Sequence, residues 1–428
     1  MWILNKNFVE WVLISTGLII LVTGSLIAIA IARRRYNDRH YRRLDHLRAQ
    51  YRPVIAALLD ERLDYQRGLR ALGEIKGSDR IDMLERLLLG GTHTSTQVPI
   101  LRQLCEDLGL VEAWHRALTG QNASASRRDS LPRPKGGVKV TSPINQIMRA
   151  KSAENLGRIR HQPSWRLLVH ALDDRSLDVR SAAVRALAAI GEPESLAVLM
   201  TVFEGMIQAN RATLSFRDIK AALVRFPLTE AVRLMESLQH PHPRVRFVAT
   251  DIIREMVERL AAVEQDLVLG SEVFDPDLSE LFLTKLTDDE NSDVRARAAR
   301  VISFLEDARA APTLLMLLDD PVWFVRMHTV RALSRRRYAP QAKTIARLLS
   351  DSNWRVREAT ARTLLALGRE GSVQLVEHLR NTRDHYSVEQ IAEEMRRIKV
   401  TPKFSQGREV DALRSEAITR LEEMGKID

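Results

Sequence analysis

Residues 318–333 read LDDPVWFVRMHTVRAL, and residues 349–364 read LSDSNWRVREATARTL. The two align without a gap at a spacing of 31: an Asp turn, Val-Arg, small residues, then Leu. The same pattern stands at 286–302 (LTDDENSDVRARAARVI) and at 172–187 (LDDRSLDVRSAAVRAL). Arg295, Arg326 and Arg357 are 31 residues apart, as are Arg149 and Arg180. A fixed period of this size marks an all-α solenoid of stacked helix pairs, because one pair alone cannot bury its apolar face. One period holds two helices of roughly 11–13 residues and two turns.

Helical geometry sorts the second helix of a unit. At about 100° per residue, Val179, Ala183, Ala186, Leu187 and Ile190 share one face, the expected core. Arg180 flanks that face and Arg185 lies nearly opposite. These units resemble HEAT repeats of the short kind related to those of phycobilin lyases. The resemblance rests on the Asp turn, Val179-Arg180, Ala183 and Leu187, and on Val294-Arg295, Val325-Arg326 and Val356-Arg357 with their neighbours. It implies that the repeated Asp and Arg bond across successive repeats as a structural ladder. That role carries to Arg180, Arg295, Arg326 and Arg357, and also to Arg149 and Arg246.

Weaker units extend the array. YQRGLRALGEIKGSDRIDMLERLLL, from Tyr65, echoes VRSAAVRALAAIGEPESLAVLM, with Leu72 in the place of Leu187. We therefore expect about ten helix pairs over residues 53–400. Residues 401–428 read as a C-terminal capping helix and tail, which repeat arrays need for solubility. Two insertions interrupt the count. WHRAL at 114–118 and VHAL at 169–172 align with an excess of 23 residues over one period. Residues 119–141 therefore read as a flexible loop inside one repeat. Arg246 to Arg295 exceeds one period by 18, and the excess falls in VEQDLVLGSEVFDPDLSE. Inserts in repeat proteins map to loops, which either bind something or are simply tolerated.

The formal charge of +10 suggests nucleic acid until it is located. Residues 33–52 carry net +6 and residues 121–141 carry net +4, so the remainder is formally neutral. A neutral repeat body argues against nucleic acid as partner. The first block follows residues 11–32, 22 residues without a formal charge. As a helix they would reach about 33 Å, enough for a bilayer core of about 30 Å. Trp2 and Trp11 stand on one side and Tyr36 and Tyr41 on the other, as interfacial aromatics do. A cleaved signal peptide needs a more basic N-terminal flank and a shorter apolar run.

The positive-inside rule then places residues 1–10 outside and the repeats in the cytoplasm; a bacterial-type cell, and its inner (plasma) membrane, are what the family resemblance implies. Arg33, Arg34, Arg35, Arg39, Arg42 and Arg43 form the basic juxtamembrane segment 33–52, which would attract anionic lipid head groups. Gly17, Gly24 and Ala28 share one helix face. The single cysteine, Cys105, fits a reducing compartment and a buried thiol.

No catalytic, cofactor or metal motif stands out: there is no P-loop, no GxSxG and no HExxH. His240 and His242 sit in QHPHPRV, a turn without metal-ligand partners. A second arginine column remains. Arg185, Arg300, Arg331 and Arg362 each follow a ladder arginine by five residues and face solvent, where acidic side chains could dock. Trp323 and Trp354, three residues before ladder arginines, are candidate hot spots or helix-start packing. The expected function is non-enzymatic: a membrane-anchored scaffold for protein–protein interaction. The resemblance further implies an accessory role to a membrane glycosyltransferase making exported polysaccharide. The alternatives are a lyase acting on a bound chromophore or ligand, and a membrane-tethered nucleic-acid binder.

Overall fold

The computed structural model describes residues 6–76, 80–120, 143–209, 214–264, 267–400 and 408–426. These residues are helical almost throughout and divide into two compact units, 1–167 and 168–428. The loop expected at 119–141 lies almost wholly outside the described residues, as do residues 401–407 of the expected C-terminal cap and the side chains of Tyr36 and Tyr41.

The first unit holds α1 (Lys6–Leu59), α2 (Tyr65–Gly73), α3 (Arg80–Leu88), α4 (Val98–Asp107), α5 (Leu110–Leu118) and α6 (Pro143–Arg158). The segments expected as span, juxtamembrane stretch and first repeat helix are one continuous helix, α1, with Pro53 inside it. Within it, Ile14–Arg35 has mean hydropathy 2.4 and no residue buried, and is long and apolar enough to cross a membrane. The far end of α1 behaves differently. Tyr51, Ile55, Leu58 and Leu59 are buried, and α1 packs on α2 and α3. α5 and α6, which flank residues 121–142 in the chain, pack side by side. Cys105 is fully buried, and that burial, with Glu85 and Glu106 nearby, pushes its thiol up to about 12.

In the second unit, α7 (Trp165–Ala171), which crosses its N-terminal limit, is followed by α8 (Leu177–Ile190), α9 (Pro193–Gln208), α10 (Phe216–Leu223), α11 (Met235–Leu238) and α12 (Pro243–Ala261). Then come α13 (Pro276–Leu283), α14 (Ser292–Ile302), α15 (Ala310–Met316), α16 (Trp323–Arg335), α17 (Ala342–Ala346) and α18 (Trp354–Ala366). The unit ends with α19 (Arg369–Asn381), α20 (His385–Val400) and α21 (Arg408–Glu423). The second helices of successive pairs, α12, α14, α16, α18 and α20, lie side by side in chain order. α21 packs against α19 and α20 at the end of the stack.

The core face expected on α8 is buried, but burial is wider than one stripe. Ala182, Val184 and Ala188 are covered too. The reason is visible in α16, which touches a second helix on each side, α14 and α18, besides its own partner α15. Even Thr329 and Thr360 are fully buried, each returning its hydroxyl to the carbonyl four residues earlier, at 2.8 Å.

The insertion between Arg246 and Arg295 is not a plain loop where described. Leu269 N donates to Phe304 O at 2.7 Å, and Glu306 N donates back to Leu269 O at 3.0 Å. Phe274 is buried edge-on against Phe282 at 5.9 Å. Asp275 then caps α13 by accepting from Asp277 N and Leu278 N. Two apolar anchors and a two-bond bridge thus pin this segment to α13 and to the turn after α14, which the spacing alone did not reveal.

Candidate functional site

Each Asp turn satisfies its own backbone first. Asp289, Asp320 and Asp351 use Oδ1 to accept from the backbone N of Asn291, Val322 and Asn353, each at 2.8 Å. The same carboxylates receive the arginine of the preceding unit as a two-pronged fork. Arg246 reaches Asp289 (2.7 and 3.0 Å), Arg295 reaches Asp320 (2.7 and 2.9 Å), and Arg326 reaches Asp351 (2.6 and 2.9 Å). The remaining nitrogen of each fork donates to its own turn: Arg295 to Asp289 O and Arg326 to Asp320 O, both at 2.8 Å. Paired planar geometry of this kind is what arginine offers and lysine does not. The bond to Asp320, against an opposing burial, raises the pKa of Arg295.

Arg180 makes the carbonyl half of this pattern, to Asp174 O at 2.7 Å. Arg357 also makes it, to Asp351 O at 2.8 Å, and then stacks over Tyr386 at 5.6 Å. Its Nε is buried without a hydrogen bond among the described residues. Arg149 lies half-buried on α6, in the first unit.

The outward column is not uniform. Arg300 is paired with Glu258, and Arg362 with Glu394 and Glu358, both at 2.7 Å. Arg185 and Arg331 are exposed and have no carboxylate partner among the described residues. Two of the four arginines expected to await acidic partners are therefore already engaged. The tryptophans also differ: Trp323 is half-buried against Phe324, whereas Trp354 is 52% exposed. Arg355 stacks on both, 5.4 Å from one ring and 5.3 Å from the other.

Arg300 and Arg362 belong to a ribbon of charge across the second helices. On its α10–α14 side, Lys220, Arg254 and Arg297 converge on Asp251, with Glu255 and Glu258 filling the gaps. Burial pushes the Asp251 carboxyl up, but bonding to Lys220 and the charge of Arg254 hold it below its ordinary range. On the α18–α20 side, Arg362 and Arg397 share Glu358 and Glu394. Between them, α16 presents His328, Arg331 and Arg335 and carries no Asp or Glu at all. These three line a cavity of about 220 Å³ with Arg300, Glu258 and Phe304. His328 and Arg335 are not marked by the 31-residue period. Their signal was a helix whose polar face holds bases at i, i+3 and i+7 without an acid.

Burial, then the charges of Arg300, Arg331, Arg297 and Arg254, push the His328 imidazole down to about 4. His328 therefore folds neutral while the unfolded chain titrates near 6.5. Between those values the unfolded state binds more protons, so stability falls as pH drops through this window. We expect the loss to be at most about 3 kcal/mol. Denaturant unfolding from pH 7 to pH 4 checks it: His328→Gln should flatten the slope, and an identical slope in both proteins would refute the assignment.

Other candidates are structural. His242 caps α12 by accepting from Arg244 N, and His240 Nδ1 accepts from His242 N. In the first unit, Ser164 Oγ lies 2.6 Å from both His115 and His161, and His161 lies 3.3 Å from Glu106. That order resembles a nucleophile relay, but Ser164 is 1% exposed and burial lowers both imidazole pKa values. It is a hydrogen-bonded knot in the core.

The family model for HEAT repeats matches residues 143–205, 279–345 and 325–396. No curated protein matches the chain. Among solved structures, an engineered protein is 16% identical over 84% of this chain and 99% of its own, with TM-score 0.32. The karyopherin Kap121p is 13% identical over 90% of this chain, with TM-score 0.43, and this chain spans 44% of its length. YibA of E. coli is 15% identical over 76% of this chain and 94% of its own, with TM-score 0.29.

Proposed function

We propose that this chain, which carries HEAT repeats, is a single-pass membrane scaffold that holds a protein partner on the cytoplasmic side. One observation carries the reading. The span-length apolar stretch of α1 is wholly exposed, yet the same helix ends buried in the first unit. A continuous helix is a stiff tether, so whatever the repeats bind is held near the membrane. The arginines that follow the span support the inward orientation and contact with anionic lipid. HEAT repeats supply extended surfaces suited to protein partners, and the exposed Arg185 and Arg331 are the docking residues we assign. The ladder arginines are assigned to holding the repeats in register.

Crosslinking in native membranes tests this directly. Arg185→Glu with Arg331→Glu should abolish capture of the partner while leaving the helical fold intact. Arg300 and Arg362 are left alone because reversing them would break pairs within the protein. Undiminished capture would remove the assignment. A membrane glycosyltransferase is the partner that the resemblance implies, and identification of the captured protein decides it.

A further inference from the structure

We infer that the gap in the charge ribbon at α16 is a binding site for a phosphomonoester dianion, presented by a phosphorylated side chain of the partner. The cavity there is lined by three arginines, Arg300, Arg331 and Arg335, against one carboxylate, Glu258. Arg300 and Glu258 pair with each other, so the charges of Arg331 and Arg335 are left without a carboxylate partner among the described residues. On both sides the ribbon neutralises its arginines with its own acids, and only α16 omits them. An excess of two positive charges matches a phosphoryl group, which carries about −1.5 to −2 at pH 7. A single carboxylate would leave one charge unanswered.

The geometry suits a compact anion. About 220 Å³ holds roughly seven waters' worth of space, enough for a phosphoryl group and the first atoms of its carrier. Arg335 is braced over Phe304 at 4.3 Å, which pre-orients its guanidinium without consuming its hydrogen bonds. Arg331 is exposed and can swing in. His328, kept neutral, retains one N–H to donate. Ser303, whose hydroxyl already donates to Arg300 O at 2.6 Å, forms floor only. Arginine clusters are a recurring means of reading phosphorylated segments.

This deepens the scaffold reading and rests on it only for the source of the phosphate. The full chain in detergent is titrated with a labelled nine-residue Gly/Ser peptide bearing one phosphoserine. The same peptide with Ser, the same with Glu, and inorganic phosphate as competitor complete the set. We expect the phosphopeptide alone among the three peptides to bind and inorganic phosphate to displace it. Arg331→Gln with Arg335→Gln should weaken it about tenfold to a hundredfold, and Arg67→Gln, at an exposed arginine of α2, should not. Equal binding of the Ser or Glu peptide, or undiminished binding by the double variant, would overturn the site. Binding of inorganic phosphate, read directly by titration calorimetry, without phosphopeptide binding would overturn the partner as source. Partner capture that persists in the double variant would leave the scaffold reading standing without this site.

Discussion

Replacing Asp320 with alanine should destabilise the second unit by about 3–5 kcal/mol, the cost of stranding one partner of a buried ion pair. Two bonding roles leave with that carboxylate. The Val322 amide loses its acceptor at 2.8 Å. Arg295 loses both prongs of its fork while its side chain stays only 13% exposed. The amide bond matters more here than in the neighbouring units, because α16 starts after Val322, which has no side-chain cap, whereas Asn291 and Asn353 cap their own helices. Asp320→Asn keeps an oxygen for Val322 but removes the charge, and should cost roughly half as much. Arg357→Met should cost less than Arg326→Met, because Arg357 stacks on Tyr386 where Arg326 is gripped by Asp351. Denaturant unfolding with hydrogen exchange would place the loss at α14–α16, since repeat stabilities add locally. An Asp320→Ala protein as stable as the parent would refute the ladder.

Gly371→Val should be comparably damaging, at about 3 kcal/mol, through the opposite mechanism of overpacking. Gly371 lies in the first turn of α19, buried where that helix meets α18. A Cβ there would collide with the carbonyl of Leu364, which is backbone and cannot rotate away. Gly68 makes a useful contrast. Its Cβ would strike only the Leu58 side chain, a flexible end that can change rotamer, so Gly68→Ala should cost about 1 kcal/mol. The measurement is the midpoint of thermal unfolding for both variants. A Gly371→Val midpoint no lower than that of Gly68→Ala would show that the α18–α19 approach can relax.

Much of the repeat body was legible because its chemistry recurs. Val-Arg after an Asp turn, in register four times, needs no fold to be noticed. The acceptors for Arg246, Arg295 and Arg326 follow from the same period, since Asp289, Asp320 and Asp351 repeat with it. The insertion at 263–280 was legible as an excess of residues but not as a docked segment. Leu269 and Phe274 have partners, Phe304 and Phe282, that no local pattern links to them. The outward arginines were legible as a column, yet their pairing was not. Glu258 meets Arg300 from the neighbouring unit and Glu394 meets Arg362 from the next.

The sequence by itself determined the helix-pair period, the apolar span-length stretch and the location of the excess charge, because each is set by neighbours along the chain. The tertiary structure alone decided which arginines are answered. A carboxylate neutralises a guanidinium only if packing brings the two within a few ångströms, and that depends on which helix lies alongside. So Arg300 and Arg362 are quenched while Arg331 and Arg335 are left facing a cavity.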